Sequence, residues 1–434
     1  MPGLPSVSAP SPAAKSAETP VSPAEFTLLI AILLVFSEGI LPRLLSNDAT
    51  SDGSPILRYL WLPIYAVTAA GIIWKIRDIM RVCLRLPFLM ALLGVCALSF
   101  VWSIEPSLSM RRGIAIVMTT AAGLFLGTRY SWKTMLRALA LVWIIICVTS
   151  FLSALLVPSF GRMQEIHVGA WQGFYFEKNQ LGGHMARAAV FGAFLMIMDR
   201  PYRWAWATLL AMSVLLVLLS TSKSSLLGLI LGLGVIAAGV LMKRGIRTGL
   251  VTLWLGVIGA ALFAVVMIFA PSVVFELLGR DATLTGRTDI WYVLADYIGQ
   301  RPLLGYGYGA FWSEFSEPGN WVRETLQWDA PTAHNGWLEV AVALGFVGLG
   351  FLMFDFFATV TRAVLASVNT WTGLFALAFI AQFFLFSLSE SASLQQNSIV
   401  WLVYVALAAK LTMRPKGLVQ VTPVRAVSPV SAPA

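Results

Sequence analysis

The chain has 434 residues, of which 58% are hydrophobic and only 12% are charged, and its mean hydropathy is +0.80. Soluble globular chains carry about 25% charged residues, so a single soluble domain is excluded and the composition is that of a membrane protein. The formal net charge of +9 is read first as membrane topology, because no nucleic-acid-binding motif accompanies it and no nucleic-acid partner is expected.

Residues 1–24, rich in Pro, Ala and Ser, lack the basic start and short apolar stretch of a secretion signal and read as a disordered cytoplasmic tail. A span needs roughly 20 apolar residues. Such runs follow near 25–41, 56–74, 86–102, 112–128, 136–157 and 181–198, then near 204–220, 224–242, 249–270, 335–360, 371–388 and 397–413. The expected fold is all-α and polytopic, with about 12 transmembrane helices. Nine fall within 25–270 and three within 335–413, separated by a long loop over 271–334 and followed by a second disordered tail over 414–434.

An even number of spans puts both tails on one side. The clusters Lys75 to Arg85, Arg129 to Arg137, Arg200 to Arg203 and Lys243 to Arg247 fall in short connections on that side, which the positive-inside rule makes cytoplasmic. The long connections, 42–55, 103–111, 158–180 and 271–334, then face the periplasm, and chemistry is expected on them. Cys83, Cys96 and Cys147 lie in or beside apolar runs, show no CxxC spacing and read as small core residues.

Within the longest loop, Ile290, Trp291, Val293, Leu294, Tyr297 and Ile298 recur at helical spacing, which predicts an amphipathic helix at the outer membrane-water boundary. The loop also holds Gly286-Arg287-Thr288-Asp289-Ile290-Trp291 and the run from Arg301 to Trp312, with Gly305, Gly307 and Gly309 in alternation. His334-Asn335-Gly336-Trp337-Leu338-Glu339 then opens a span that runs on to Leu344-Gly345-Phe346-Val347-Gly348. At a helix start, the Arg287 guanidinium and free backbone N–H groups together attract an oxyanion such as phosphate; the alternative is an arginine snorkelling to a headgroup. The glycines permit close approach of backbone to a ligand, or make an ordinary turn. His334 titrates or donates a hydrogen bond, or with Asn335 merely starts a helix. Their convergence on one face favours a pocket.

A second group joins them. Glu177-Lys178-Asn179-Gln180-Leu181-Gly182-Gly183-His184 leads into a span with Arg187 one turn further in; Thr221-Ser222-Lys223-Ser224-Ser225 is the tight turn between spans 7 and 8; and Glu105, Arg111 and Arg112 join spans 3 and 4. Charges near a bilayer that do not reach cytoplasm are costly and more often functional than decorative. The alternatives are a structural pair of Arg187 with Glu177 or His184, and snorkelling by Arg111 and Arg112. Walker loops, GxGxxG, HExxH, DxD-type carboxylate pairs and GxSxG do not occur. A nucleotide sugar or ATP is therefore not the expected donor, and no metal or other cofactor is expected. A basic outward site suits a lipid-linked phosphate or pyrophosphate reached from within the bilayer.

The GRTDIW, RPLLGYGYGAFW and HNGWLEV…LGFVG series, together with WSIEPS, FEKNQLGGH and TSKSSLLG, resembles the bacterial O-antigen ligase/polymerase superfamily, most closely its ExoQ-type exopolysaccharide-polymerase branch. The similarity runs over about 100–400, with 286–345 its most specific part. It implies an inner-membrane glycosyltransferase using a polyprenyl-pyrophosphate-linked saccharide on the periplasmic side without a metal. By resemblance, Arg287 holds the donor pyrophosphate and His334 serves the acceptor hydroxyl or the leaving group. The family turn usually carries an arginine where Lys223 stands, which keeps the charge and loses bidentate phosphate recognition.

From the bond chemistry, Arg287, Lys223, Arg187 and Lys178 are the candidates to neutralise pyrophosphate charge. His334, Glu105 or Asp289 is the candidate base, and Asn335, Gly305 and Gly307 support the site. The expected partners are the lipid-linked saccharide, membrane lipid, a flippase and polysaccharide co-polymerase or export proteins. The rivals are a ligase of the same fold, a transporter or flippase, against which no repeated half is seen, and a non-catalytic assembly subunit.

Overall fold

The structure is a computed structural model that describes residues 20–45, 55–165, 167–245, 247–252, 254, 256, 287–327 and 329–413. Most of the expected span near 249–270, most of the first expected tail, all of the second and the first part of the 271–334 loop lie outside the described residues.

The fold is all-α and polytopic. Six described helices are long and apolar enough to cross a membrane: Trp132–Leu156, Lys178–Met198, Arg200–Leu219, Lys223–Met242, Gly336–Asn369 and Trp371–Ser389. The shorter apolar helices Pro23–Phe36, Pro87–Val101 and Ile399–Thr412 coincide with the first, third and last expected runs. In chain order the helices are α1 (Pro23–Phe36), α2 (Ile40–Leu45), α3 (Pro55–Trp74), α4 (Ile76–Cys83), α5 (Pro87–Leu98), α6 (Pro106–Arg129), α7 (Trp132–Leu156) and α8 (Pro158–Gly161). Then follow α9 (Lys178–Met198), α10 (Arg203–Leu219), α11 (Lys223–Met242), α12 (Arg287–Gln300), α13 (Glu317–Leu326), α14 (Gly336–Asn369), α15 (Trp371–Ser389) and α16 (Ile399–Thr412).

Local sequence explains the breaks. After Trp74 the chain bends by 89° into α4, whose Arg77, Asp78 and Arg81 cannot continue into lipid while Ile79 and Val82 stay buried. Small residues permit a close helix approach, that of α6 to α16: a Cβ added at Gly123 would lie 2.7 Å from the Leu402 carbonyl, and one at Gly127 would lie 2.7 Å from that of Ala406. Four-residue spacing puts both glycines on one helix face, which is how tightly apposed membrane helices pack. Helices α9 and α16 are buried along most of their length and form the middle of the bundle.

Two features differ from the expectations. Gly345, inside the tenth expected span, has φ 64° and ψ −168°, so α14 is two helical segments across a kink. The apolar stripe expected to lie on the membrane boundary is turned inward. Ile290, Leu294 and Ile298 of α12 are buried in a second core with Tyr306, Phe311, Val322, Ala341 and Val342. The loop and the start of α14 together supply the apolar cover for this helix.

Candidate active site

A cavity of about 330 Å³ opens where the loops around α9, α14 and α15 meet, lined among others by Glu38, Glu177, Arg187, His334, Glu339 and Glu390. His334 is held there by backbone geometry. It has φ 48°, in the left-handed region that side-chain-bearing residues adopt at a cost. The next residue, Asn335, caps α14, its side-chain oxygen accepting from the amides of Trp337 at 3.0 Å and Leu338 at 3.2 Å. The capping sequence therefore starts α14 immediately after the imidazole, which lines the cavity.

Glu390 follows the last residue of α15 and joins the two residues on which the reading turns. Its Oε1 lies 3.3 Å from an Arg287 nitrogen, and its Oε2 lies 3.6 Å from His334 Nδ1, an ion pair only when the imidazole is protonated. Arg287 is buried and also donates to the Ser389 carbonyl, at the negative end of the α15 dipole. Glu177, next to α9, faces the same group: burial pushes its carboxyl up, and Glu390 pushes it further, against the pull of His334 and Arg287. Glu339 fastens the approach to His334, its Oε2 accepting from the Ala333 amide at 2.9 Å, Trp312 Nε1 at 3.1 Å and the Ser391 hydroxyl at 3.3 Å.

A second part of the cavity is built on α9 and the α1–α2 corner. Arg187 is 4% exposed, its guanidinium lies 4.4 Å above the Phe386 ring, and its buried Nε has no hydrogen-bond partner among the described residues. No ion pair joins it to Glu177 among the described residues. His184 stacks on Tyr175 at 4.8 Å, and the Tyr175 hydroxyl donates to the Ser37 carbonyl at 3.3 Å. That contact pins the corner at which Glu38, φ 60°, reaches the cavity and hydrogen-bonds Ser398.

Of the remaining expected residues Arg112 lines this cavity, and Lys178, Lys223, Asp289, Glu105 and Arg111 sit around it. Lys178 and Lys223 open α9 and α11; Lys178 Nζ donates to Thr221 Oγ1 at 3.4 Å. Burial first, then both lysines, pull the neighbouring His167 down. Asp289 is exposed on α12. Glu105 accepts from the Ser313 hydroxyl, and burial pushes its carboxyl up against Arg112 and Arg111. Arg112 lines the cavity and donates to the Gly309 carbonyl, whereas Arg111 is exposed.

Gly305 and Gly307, with φ 63° and 101°, shape the loop. A Cβ at Gly305 would meet the Val342 carbonyl at 2.6 Å, and one at Gly307 the Ser103 hydroxyl at 2.2 Å. The amides of Tyr306 and Gly307 donate to Val342 and Ala343 carbonyls at 3.0 and 2.9 Å. The kink at Gly345 frees the amides of Phe346 and Val347, which donate to Pro302 and Leu303 at 2.7 and 3.2 Å. Two of the motifs therefore interlock backbone to backbone and hold the wall from which Tyr308 and Gly309 line the cavity.

Residues 207–353 match the family model described as O-antigen ligase. The exopolysaccharide production protein ExoQ of Rhizobium meliloti (strain 1021) is 27% identical over 311 residues, covering 68% of this chain and 68% of that protein. The resemblance to the O-antigen ligase/polymerase superfamily, on its ExoQ side, is borne out. The matched residues include Lys223, Arg287 and His334, whereas Glu38, Glu177, Arg187 and Glu390 come from outside them. The cavity is thus assembled from residues on both sides of the matched region as well as within it.

Proposed function

We propose that this multi-pass membrane protein is a glycosyltransferase of the bacterial inner membrane that polymerises polyprenyl-pyrophosphate-linked oligosaccharide repeat units on the periplasmic face. The observation that carries the reading is the joining of Arg287 and His334 through one carboxylate, Glu390, at the edge of a cavity. The donor sugar already bears a good leaving group, so the protein chiefly neutralises charge as it develops on the pyrophosphate oxygens. Arg287 serves that need, with the unpartnered Arg187 Nε as a second donor. Lys178 and Lys223 supply positive charge on the approach.

His334 takes the proton from the acceptor hydroxyl as the new C1–O bond forms and the C1–O bond to pyrophosphate breaks, its electron pair leaving on the lipid pyrophosphate. A single displacement of this kind inverts the anomeric carbon. Asp289, exposed and off the cavity, has no place in the step. A flippase that delivers the donor and co-polymerase or export proteins are the partners such a reaction needs.

A ligase that transfers finished glycan to lipid A core or another acceptor is the second reading, favoured by the description of the matched family. Cells lacking the protein separate the two: single lipid-linked repeats accumulate if a polymerase is lost, long lipid-linked chains if a ligase is lost.

A further inference from the structure

The arginine assigned to the donor pyrophosphate is already occupied. One edge of the Arg287 guanidinium faces Glu390 Oε1 at 3.3 Å, and another nitrogen donates to the Ser389 carbonyl. The other oxygen of the same carboxylate is 3.6 Å from His334 Nδ1. A pyrophosphate and Glu390 compete for one guanidinium, because two anions cannot share its donors at contact distance without strong repulsion.

Glu390 is placed to yield. It is the first residue past α15, with extended backbone at φ −146° and ψ 153°, and its side chain is 25% exposed. It also has a second partner to turn to.

We propose that Glu390 is a positioning residue displaced by the donor: the incoming pyrophosphate replaces it on Arg287, and the released carboxylate turns wholly to His334. There it stabilises the imidazolium that forms when His334 takes the acceptor proton. Glu390 itself neither gains nor loses a proton, and the leaving electron pair goes to the pyrophosphate on Arg287. Donor binding thus strengthens the base, so the acceptor hydroxyl is activated only when there is a sugar to receive it. The inference rests on the assignment of Arg287 and His334 made above.

Inorganic pyrophosphate binding to the full-length protein in detergent, measured calorimetrically, tests both. Glu390→Gln removes the competitor and should bind pyrophosphate about tenfold more tightly than wild type, as expected when the competent fraction of a site rises. Its turnover of lipid-linked donor should nevertheless fall, because His334 has lost its partner. Tighter binding with slower transfer is a split that general damage to the fold does not produce. Glu390→Asp, which keeps the charge on a shorter arm, should fall between the two and carries the same test should the Gln variant not fold. Unchanged or weaker binding in both variants, with Arg287→Gln still abolishing it, would overturn the displacement and leave the Arg287 assignment standing. Full binding by Arg287→Gln would overturn both.

Discussion

The amide of Phe346 donates a 2.7 Å hydrogen bond to the carbonyl of Pro302, tying the glycine-rich loop to α14 at the residue where the helix resumes. The kink at Gly345 makes this bond available, since an unbroken helix would keep that amide for itself. Gly345 has φ 64°, and a Cβ there would lie 2.2 Å from Leu303 backbone atoms. Gly345→Ala therefore meets both left-handed strain, about 1–3 kcal/mol, and a backbone clash. Polymer formation should be lost with the bundle still inserted, which immunoblotting of membranes and gel analysis of the glycan would check.

The α6–α16 contact predicts a different failure. Gly127→Leu drives a side chain into the Ala406 carbonyl and the Ala409 Cβ in the middle of the bundle. The loss should exceed the 1–3 kcal/mol typical of overpacking, because backbone has to move. A lowered melting temperature in detergent, or loss of the protein from membranes, is the expected outcome.

Glu177 gives a pH dependence of known sign. Its carboxyl is raised by burial and by Glu390, so the folded state holds that proton more tightly than the unfolded chain does. Its stabilising contribution is complete below the ordinary carboxylate value and is lost as pH rises through the raised one. Glu177→Gln should flatten that part of a melting-temperature profile recorded from pH 4 to pH 8, about the range over which such a carboxyl titrates. An unchanged slope would mean that Glu177 does not titrate there.

The candidate bases are separable by rate. His334→Gln should cut glycosyl transfer by about 10²–10⁴-fold, the usual worth of a general base. Asp289→Asn, altering an exposed side chain, should stay within about twofold, as surface changes do. Transfer rates of the two purified variants check the assignment.

Most of the bundle was legible because a run of apolar residues has few other places to go: α9, α11 and α15 start and end within a few residues of the expected runs. Arg287 was legible as a charge at a helix start in the long outward loop, Arg187 as a charge one turn inside an expected span, and His334 as a titratable group at the mouth of one. Glu38 and Glu390 were not, because one is a lone acid at the end of an apolar run and the other lies in a short Ser- and Gln-rich connection, and each gains its meaning only from elements distant in sequence. The rule that singled out Arg187, that charge near a bilayer is costly, applies equally to both and was the signal available. The inward turn of the α12 stripe could not be read either, since a helical apolar period is the same whether lipid or protein covers it.

The assignment of this site to lipid-linked glycan transfer is tested most directly by deleting the protein from its host and analysing the polyprenyl-pyrophosphate-linked glycans, with complementation by wild type, Arg287→Ala and His334→Ala. Single repeat units should accumulate and be relieved by wild type alone. A lipid-linked pool unchanged by the deletion, or normal polymer from the Arg287→Ala strain, would contradict it.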